Sequence, residues 1–192
     1  MKFVFCEGKN DVKVTESLAK HLRLDIKVEF TGGKDNITNF LRDVSKRPEF
    51  ARQEVASFGI IRDADANSES AFTSVCAALQ QNKFTTPATE GTFSNGMPRV
   101  GVRIVGVAGR GMIEDVCLQS VSDRPEFSCV ESYFNCIADK SERKTFSSKA
   151  KVRVWMASHS DYELHVGAAA EEGYWPWDNA AFDPLKDFLR AL

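Results

Sequence analysis

The chain has 192 residues, of which 43% are hydrophobic, and carries 27 acidic against 25 basic residues, for a formal net charge of -2. This length and apolar content favour one compact domain, residues 1–192, over two domains. The charge balance excludes a protein that attracts nucleic acid over its whole surface, so such binding would require a local basic face.

The five cysteines are odd in number, lie mostly in apolar surroundings and lack the close paired spacing of a zinc site. We therefore expect reduced, buried thiols and a cytoplasmic protein. No stretch approaches the roughly 18 apolar residues of a membrane span, and no signal-peptide pattern is visible, so we expect no membrane partner.

The first half of the sequence alternates between apolar runs and amphipathic segments. Residues 3–6 predict a buried strand, which ends at Glu7 and Gly8. A helix capped by Asn10 or Asp11 should follow, because apolar residues recur after it at helical spacing.

Two further strand–helix units come next. Residues 25–30 and 55–61 are predicted strands, and helices are predicted over about 37–44 and about 68–79. Short connections between alternating strands and helices predict an α/β fold with a mostly parallel central sheet flanked by helices.

The second half is predicted to be mainly helical. A loop or hairpin tip over 85–97 precedes a strand over 100–107, and helices follow over about 113–121 and 126–138. Residues 149–158 alternate basic and apolar side chains as a strand does, but their spacing also fits a helix, which is the favoured interpretation. The aromatic tail should pack onto the body of the protein. The prediction is thus a core of about 1–121 with a helical, aromatic-rich C-terminal extension of about 122–192.

Acidic residues follow three of the predicted strands. Glu7 ends the first, Asp63 and Asp65 follow the third, and the pair Glu114 and Asp115 follows the fourth. Carboxyl ends of parallel strands share one rim of a sheet, where ligands bind. Converging carboxylates repel one another unless a cation compensates them, and hard divalent ions with oxygen ligands, magnesium above all, are suited to this.

The Asp-x-Asp spacing by itself has two interpretations. In an extended backbone Asp63 and Asp65 would face the same side and could flank one ion. Asp-x-Asp at a strand end is equally an ordinary turn and capping signal. The carboxylates could therefore serve only as helix caps.

A strand ending in Glu-Gly, a helix and a later strand ending in Asp-x-Asp together resemble the toprim domain, the catalytic fold of topoisomerases, bacterial primases and several nucleases. The segments FCEGKNDV, GGKDNI, GIIRDADAN, GMIEDVCL and GYWPWDNAAFDPLKDFLRAL are similar to blocks of small stand-alone toprim-like proteins. Those proteins are related in pattern to toprim nucleases of the overcoming-lysogenization-defect type. The resemblance covers most of the chain and implies a toprim-like, Rossmann-like fold.

The resemblance also implies roles for the acids. Glu7 matches the toprim glutamate, a general acid/base or metal ligand, and Asp63 and Asp65 match the metal-binding pair. Asp11 resembles an added ligand that permits a second ion. Glu114 and Asp115 resemble the acidic pair that completes such a two-ion site.

Toprim nucleases also use a late lysine, for which Lys149 and Lys151 are the candidates, and nothing in the sequence chooses between them. One departure is Asn67, which stands where many toprim proteins carry a third aspartate. It weakens the expectation of strong coordination there.

Several further residues are candidates for contact with substrate. Lys34 and Arg110 lie in glycine turns at the rim, where helix amino termini and free backbone N–H groups favour anions, and Gly8 and Lys9 follow Glu7 at the end of the first predicted strand. A basic stretch could follow a nucleic-acid backbone, although a solvated helix face is the favoured interpretation: Lys140, Arg143, Lys144, Lys149, Lys151 and Arg153. His159 and His165 lack metal-ligand spacing and are interpreted as satisfied or exposed histidines.

The predicted function is a phosphodiester hydrolase, most simply a nuclease, or a phosphoryl-transfer enzyme that depends on Mg²⁺ or Mn²⁺ and uses one or two ions. Its expected partner is nucleic acid, with DNA favoured over RNA. The alternative is a non-catalytic toprim-like module that binds nucleotide, nucleic acid or a partner protein. Formation of a homo-oligomer is left open by the sequence.

Overall fold

The computed structural model describes residues 1–159 and 165–192. Its sheet contains the strands β1 (Lys2–Cys6), β2 (Lys27–Phe30), β3 (Ser57–Asp63) and β4 (Arg99–Val105). They lie in the order β2-β1-β3-β4, and each neighbouring pair is parallel. The predicted α/β class, with a parallel central sheet in a Rossmann-like arrangement, is confirmed.

Helices cover both faces of this sheet. The α-helices are α1 (Lys9–His21), α2 (Ile37–Val44), α3 (Pro48–Ala51), α4 (Ser68–Gln81), α5 (Ile113–Ser120), α6 (Phe127–Lys140), α7 (Ser148–Ala157), α8 (Val166–Glu171) and α9 (Asp183–Ala191). Short 3₁₀ helices cover Lys34–Asn36 and Ala180–Phe182.

The period of two along each strand divides the core into two layers. In β1, Phe3 and Phe5 pack into the apolar cluster beneath α2, α3 and α4, whereas Val4 and Cys6 pack into the cluster formed with α1 and the C-terminal helices. All four side chains are buried, as expected of a strand covered on both faces. Burial of each large apolar side chain stabilises the fold by about 1.5–3 kcal/mol relative to exposure.

The C-terminal segment packs directly on the sheet. Trp175, Phe182 and Phe188 are buried, which confirms the predicted docking of the aromatic tail. A Cβ atom at Gly59 in β3 would lie 2.7 Å from the ring of Phe188, and one at Gly101 in β4 would lie 2.8 Å from it. The two glycines therefore allow this close approach of α9 to the sheet.

Some local predictions need correction. The first helix is not capped by Asn10 or Asp11, because it begins at Lys9 with Gly8 as its N-cap and Asp11 in its first turn. The prediction of buried thiols is wrong for Cys129 and Cys136, which are exposed on α6. The helix predicted over 149–158 is confirmed as α7. Across the described parts of the chain, the helices are too short or too polar to cross a membrane.

Candidate functional site

The strand order places a crevice between β1 and β3. The chain continues from β1 to a neighbour on one side, β2, and then crosses to the other side of β1 to form β3. In open α/β sheets, ligands bind outside the carboxyl ends of strands at such a reversal. Glu7 follows β1 directly, its N–H donates to the carbonyl of Ile61 at 3.1 Å, and Asp63 is the last residue of β3.

An open cavity of about 490 Å³ occupies this position. Acidic and basic side chains from separate segments share its lining. The lining residues are the acids Glu7, Asp11, Asp63 and Glu114, the lysines Lys9, Lys13 and Lys149, and Gly8, Asn10 and His165. The structure thus brings together four of the six predicted metal ligands.

Gly8 and Asp11 line the cavity at the start of α1. The N–H of Gly8 donates to Oδ2 of Asp11 at 2.8 Å, and a Cβ atom at position 8 would lie 2.7 Å from that same oxygen. Gly8 therefore leaves room for the carboxylate to turn back over the helix N-terminus, where the positive end of the helix dipole stabilises it. Only 6% of Asp11 is exposed.

Asp63 connects β3 to α5. Its Oδ1 accepts a hydrogen bond from the N–H of Ile113, the first residue of α5, at 3.0 Å. The next residue, Glu114, is only 4% exposed. This hydrogen bond holds the start of α5 against the sheet and keeps the side chain of Glu114 at the cavity.

The carboxylates of the cavity resist ionisation. Burial, followed by the negative charges of Asp11, Glu114 and Glu7, raises the pKa of Asp63 to about 8. Burial also raises the pKa of Asp11, which its hydrogen bond from Gly8 and the charge of Lys149 partly oppose. The pKa of Glu114 is likewise raised, mainly by burial. The positive charges that the chain itself provides therefore compensate the negative charge of these buried acids only in part.

Glu7 differs because it has a cation beside it. Its Oε2 lies 3.3 Å from Nε of Arg62, and the two side chains are 16% and 12% exposed. Burial raises the pKa of Glu7, and the charge of Arg62 opposes the shift. Neither of these two buried atoms has a partner with hydrogen-bond geometry. Sequence reasoning missed Arg62, although its place directly before Asp63 in β3 was a usable signal.

Asp65 does not line the cavity, although its negative charge adds to the effect of burial in raising the pKa of Glu7. The backbone does not continue extended through Asp-x-Asp, because Asp65 adopts a left-handed conformation with φ of 49° and exchanges two backbone hydrogen bonds with Gly111. Its Oδ2 pairs with Nζ of Lys34 at 3.0 Å. Asp63 and Asp65 therefore do not face the same side of an extended backbone, as the binding of one ion by both was expected to require.

Asp115 serves the junction between α5 and α7. Its Oδ2 accepts the N–H of Met112 at 2.8 Å, and its Oδ1 accepts a hydrogen bond from the hydroxyl of Ser148. Ser148 begins α7, so this contact fixes the position of Lys149. The structure brings Lys149 to the cavity, whereas Lys151 pairs with Glu131 at 2.8 Å.

Of the predicted substrate-binding residues, some line the cavity and others lie outside it. Gly8 and Lys9 line the cavity, whereas Lys34 is outside its lining and pairs with Asp65 at 3.0 Å. Arg110 is exposed in the turn after β4, where its backbone pairs with that of Val107.

His165, which is exposed as the sequence indicated, also lines the cavity. It is the N-cap of α8, and its Nδ1 accepts the N–H of Ala168 at 3.2 Å. A Cβ atom at Gly167 would lie 3.0 Å from the side chain of Lys13, so this glycine lets α8 lie close to α1. No spacing pattern could have indicated this, because the approach depends on how two distant helices pack.

The acids face one cavity but are not arranged around a single point. Within residues 1–159 and 165–192, no three His, Cys, Asp or Glu side chains have the arrangement of a metal site.

Fold and cavity together define an α/β protein with acidic side chains at the carboxyl ends of adjacent parallel strands. The family model described as "Protein of unknown function (DUF3226)" matches residues 1–192, and the chain belongs to that family. A search of curated proteins gave no match. A solved structure of the C-terminal region of the Burkholderia pseudomallei OLD protein is similar over 98% of this chain and 96% of that chain, with 12% sequence identity and a TM-score of 0.49.

Proposed function

We propose that the chain is a divalent-metal-dependent phosphodiester hydrolase that acts on nucleic acid at the cavity between β1 and β3. The observation that carries this proposal is the convergence of four carboxylates from three separate segments on one cavity that also contains Lys149. The segments that resemble toprim-like proteins contain all four acids: Glu7 and Asp11 in FCEGKNDV, Asp63 in GIIRDADAN and Glu114 in GMIEDVCL.

The chemistry of the donor set fits Mg²⁺ or Mn²⁺. Carboxylate oxygens are the ligands that these ions prefer, and four carboxylates line the cavity. Asp11, Asp63 and Glu114 would hold the metal, and their side chains would have to turn toward a common point to do so. Asp65 would join them only by leaving Lys34. A bound divalent ion would supply charge compensation and polarise a phosphate oxygen.

The side chains of the cavity suit hydrolysis of a phosphodiester. In this reaction a water oxygen bonds to phosphorus, and the bond from phosphorus to one sugar oxygen breaks. Glu7 accepts the proton of the attacking water, a role that a raised carboxylate pKa favours, and solvent protonates the departing sugar oxygen. Lys149 attracts the phosphate by its charge, and Lys9 extends the positive edge of the cavity, whereas Lys13 pairs with Glu171 at 2.6 Å.

A screen for cleavage tests this function. Single-stranded DNA, duplex DNA and RNA are incubated with the purified protein and Mg²⁺ or Mn²⁺. We expect cleavage of at least one of these polymers, loss of cleavage in Glu7→Gln, and retention in Glu16→Gln, which changes an exposed glutamate of the same helix. No cleavage of any polymer, or full activity of Glu7→Gln, would exclude the proposed chemistry.

A non-catalytic binding module is the second candidate, and one observation favours it. Arg62 and Lys34 already pair with Glu7 and Asp65, so part of the acidic set is compensated without a metal ion. Such a module would bind nucleotide or nucleic acid equally well with Mg²⁺ and with EDTA, and would cut neither.

A further inference from the structure

A second depression lies between α6 and α7, beyond the cavity. It has a volume of about 440 Å³, and we call it the aromatic groove. Tyr133 and Phe134 of α6, Phe146 before α7, and the arginines Arg143 and Arg153 form most of its surface.

The aromatic side chains of the groove contact one another, and Tyr133 is the exposed one, because Phe134 is only 6% exposed. The ring centroid of Tyr133 lies 5.2 Å from that of Phe134, which in turn lies 4.7 Å from that of Phe146. The guanidinium of Arg143 is 4.7 Å from the centroid of Phe146. Tyr133 is 51% exposed, so its ring is open to solvent.

The charge of the aromatic groove has one sign. The described residues that line it include Arg143 and Arg153 and no acidic side chain. Lys144 is exposed, and its Nζ donates to the carbonyl of Ala138 at the end of α6. Rings with a cationic border complement a polyanion that also carries flat apolar surfaces.

Arg153 links the aromatic groove to the cavity. Arg153 also lines a smaller depression that it shares with Lys149, Glu114 and His165, and these three residues belong to the cavity. Lys149 and Arg153 are separated by one turn of α7, so their side chains are neighbours on the same face of the helix. A positive edge therefore runs from the aromatic groove to the buried acids.

We propose that the aromatic groove binds single-stranded nucleic acid and directs it toward the cavity. As a statement about substrate, this rests on the proposed hydrolase function, whereas binding in the groove can be measured without it. In a duplex the faces of the bases are stacked on one another, but a single strand can place a base on the exposed ring of Tyr133. Arg143 and Arg153 then contact the phosphates on either side.

Binding is tested by fluorescence anisotropy with a labelled 12-nucleotide single-stranded DNA, and with the matching duplex, in EDTA so that cleavage does not interfere. We expect the single strand to bind more tightly than the duplex. Tyr133→Ala should weaken binding of the single strand roughly tenfold, the effect expected for one stacked base, and Tyr133→Phe should leave it unchanged. Because Tyr133 is half exposed, both variants should fold.

The salt dependence tests the arginines. Each phosphate contact on a single strand adds about 0.7 to the slope of log affinity against log salt concentration. Arg143→Ala with Arg153→Ala should therefore reduce the slope by about 1.4. The matched control is Arg42→Ala with Arg190→Ala, two exposed arginines on α2 and α9, which should leave the slope unchanged.

The results separate the aromatic groove from the hydrolase. Glu7→Gln should lose cleavage and keep its affinity for the single strand. Binding that depends on Tyr133 in a protein that never cleaves would support the groove and reject the hydrolase. Equal affinity of Tyr133→Ala and wild type, or tighter binding of the duplex, would overturn the groove. So would displacement of the strand by poly-glutamate at an equal concentration of charge, because the groove would then recognise acidic protein segments.

Discussion

Two sets of carboxylates lie at the same end of the sheet and differ in how the chain compensates their negative charge. In the paired set, Glu7 contacts Arg62 and Asp65 contacts Lys34. In the unpaired set, Asp11, Asp63 and Glu114 face the cavity with backbone hydrogen bonds and the charge of Lys149 as their main compensation.

This difference indicates where an external cation would act. A buried carboxylate without a cation either keeps a proton or recruits a positive charge, because an isolated ion is costly in a poorly solvated position. The raised pKa of Asp63, about 8, is the consequence in the absence of metal. The unpaired set should therefore control ion binding, and the paired set should contribute less.

The largest expected effect separates the two aspartates of Asp-x-Asp. Asp63→Asn should reduce metal-dependent cleavage by about 10³-fold, because loss of a metal ligand removes several kcal/mol of transition-state stabilisation. Asp65→Asn should reduce cleavage far less, since its carboxylate pairs with Lys34. The measurement is kcat/KM on the best substrate of the screen, and equal losses in the two variants would contradict the division into sets.

The next effect concerns the stability of the paired set. Arg62→Gln leaves the largely buried carboxylate of Glu7 without its cation and should lower the free energy of unfolding by about 3 kcal/mol. Arg47→Gln is the control, because it breaks the more exposed pair with Glu29 and should cost less than about 1 kcal/mol. Urea unfolding measures both. A smaller loss in Arg62→Gln than in Arg47→Gln would show that Arg62 does not stabilise Glu7.

The unpaired set should also give stability a characteristic pH dependence. Asp63 has a pKa of about 8 in the folded protein and an ordinary value of 3.8, so between these values the folded state holds a proton that the unfolded chain has released. The free energy of unfolding therefore falls as the pH rises from about 4 through 8, by up to about 1.4 kcal/mol per pH unit. Urea unfolding in EDTA at pH 5 to 9 measures the slope.

Two variants locate the source of that slope. Asp63→Asn should flatten it and raise stability above pH 7, whereas Asp65→Asn should retain the slope of the wild type. Stability that rises over this range in the wild type would mean that the acids of the cavity are ionised and compensated.

The smallest effect distinguishes the two lysines that the sequence could not separate. Lys149→Met should reduce cleavage about tenfold, the size of a single lost charge contact, and act mainly on KM. Lys151→Met should leave cleavage unchanged, because Lys151 pairs with Glu131 outside the cavity. Assays of both variants under identical salt conditions measure this, and equal effects would remove the assignment to Lys149.

Much of the fold and part of the cavity could be predicted from the sequence. The strand-end positions of Glu7 and Asp63 follow from apolar runs that stop at a turn, and such a pattern is local. The conformation of Asp65 could not be predicted, because it depends on backbone hydrogen bonds to Gly111, far along the chain. Asp115 looked like a ligand, but its position in the first turn of α5 makes it a local hydrogen-bond acceptor.

The remaining features of the cavity depend on how the helices pack, and they could not be predicted from the sequence. Lys149 and Lys151 are about 200° apart around α7, so the choice between them depends on which face of α7 lies against α5. Ser148 and Asp115 determine that choice, and they are 33 residues apart. His165 reaches the cavity only because α8 packs on α1 at Gly167.

Thermal unfolding of the wild type and Asp63→Asn over a Mg²⁺ titration tests the central claim most directly. If the unpaired set binds the ion, the wild type should be stabilised by about 2.7 kcal/mol at 100 times the Kd, and Asp63→Asn should show almost none of this effect. An unfolding temperature of the wild type that does not change with Mg²⁺, or an equal rise in both proteins, would contradict the account.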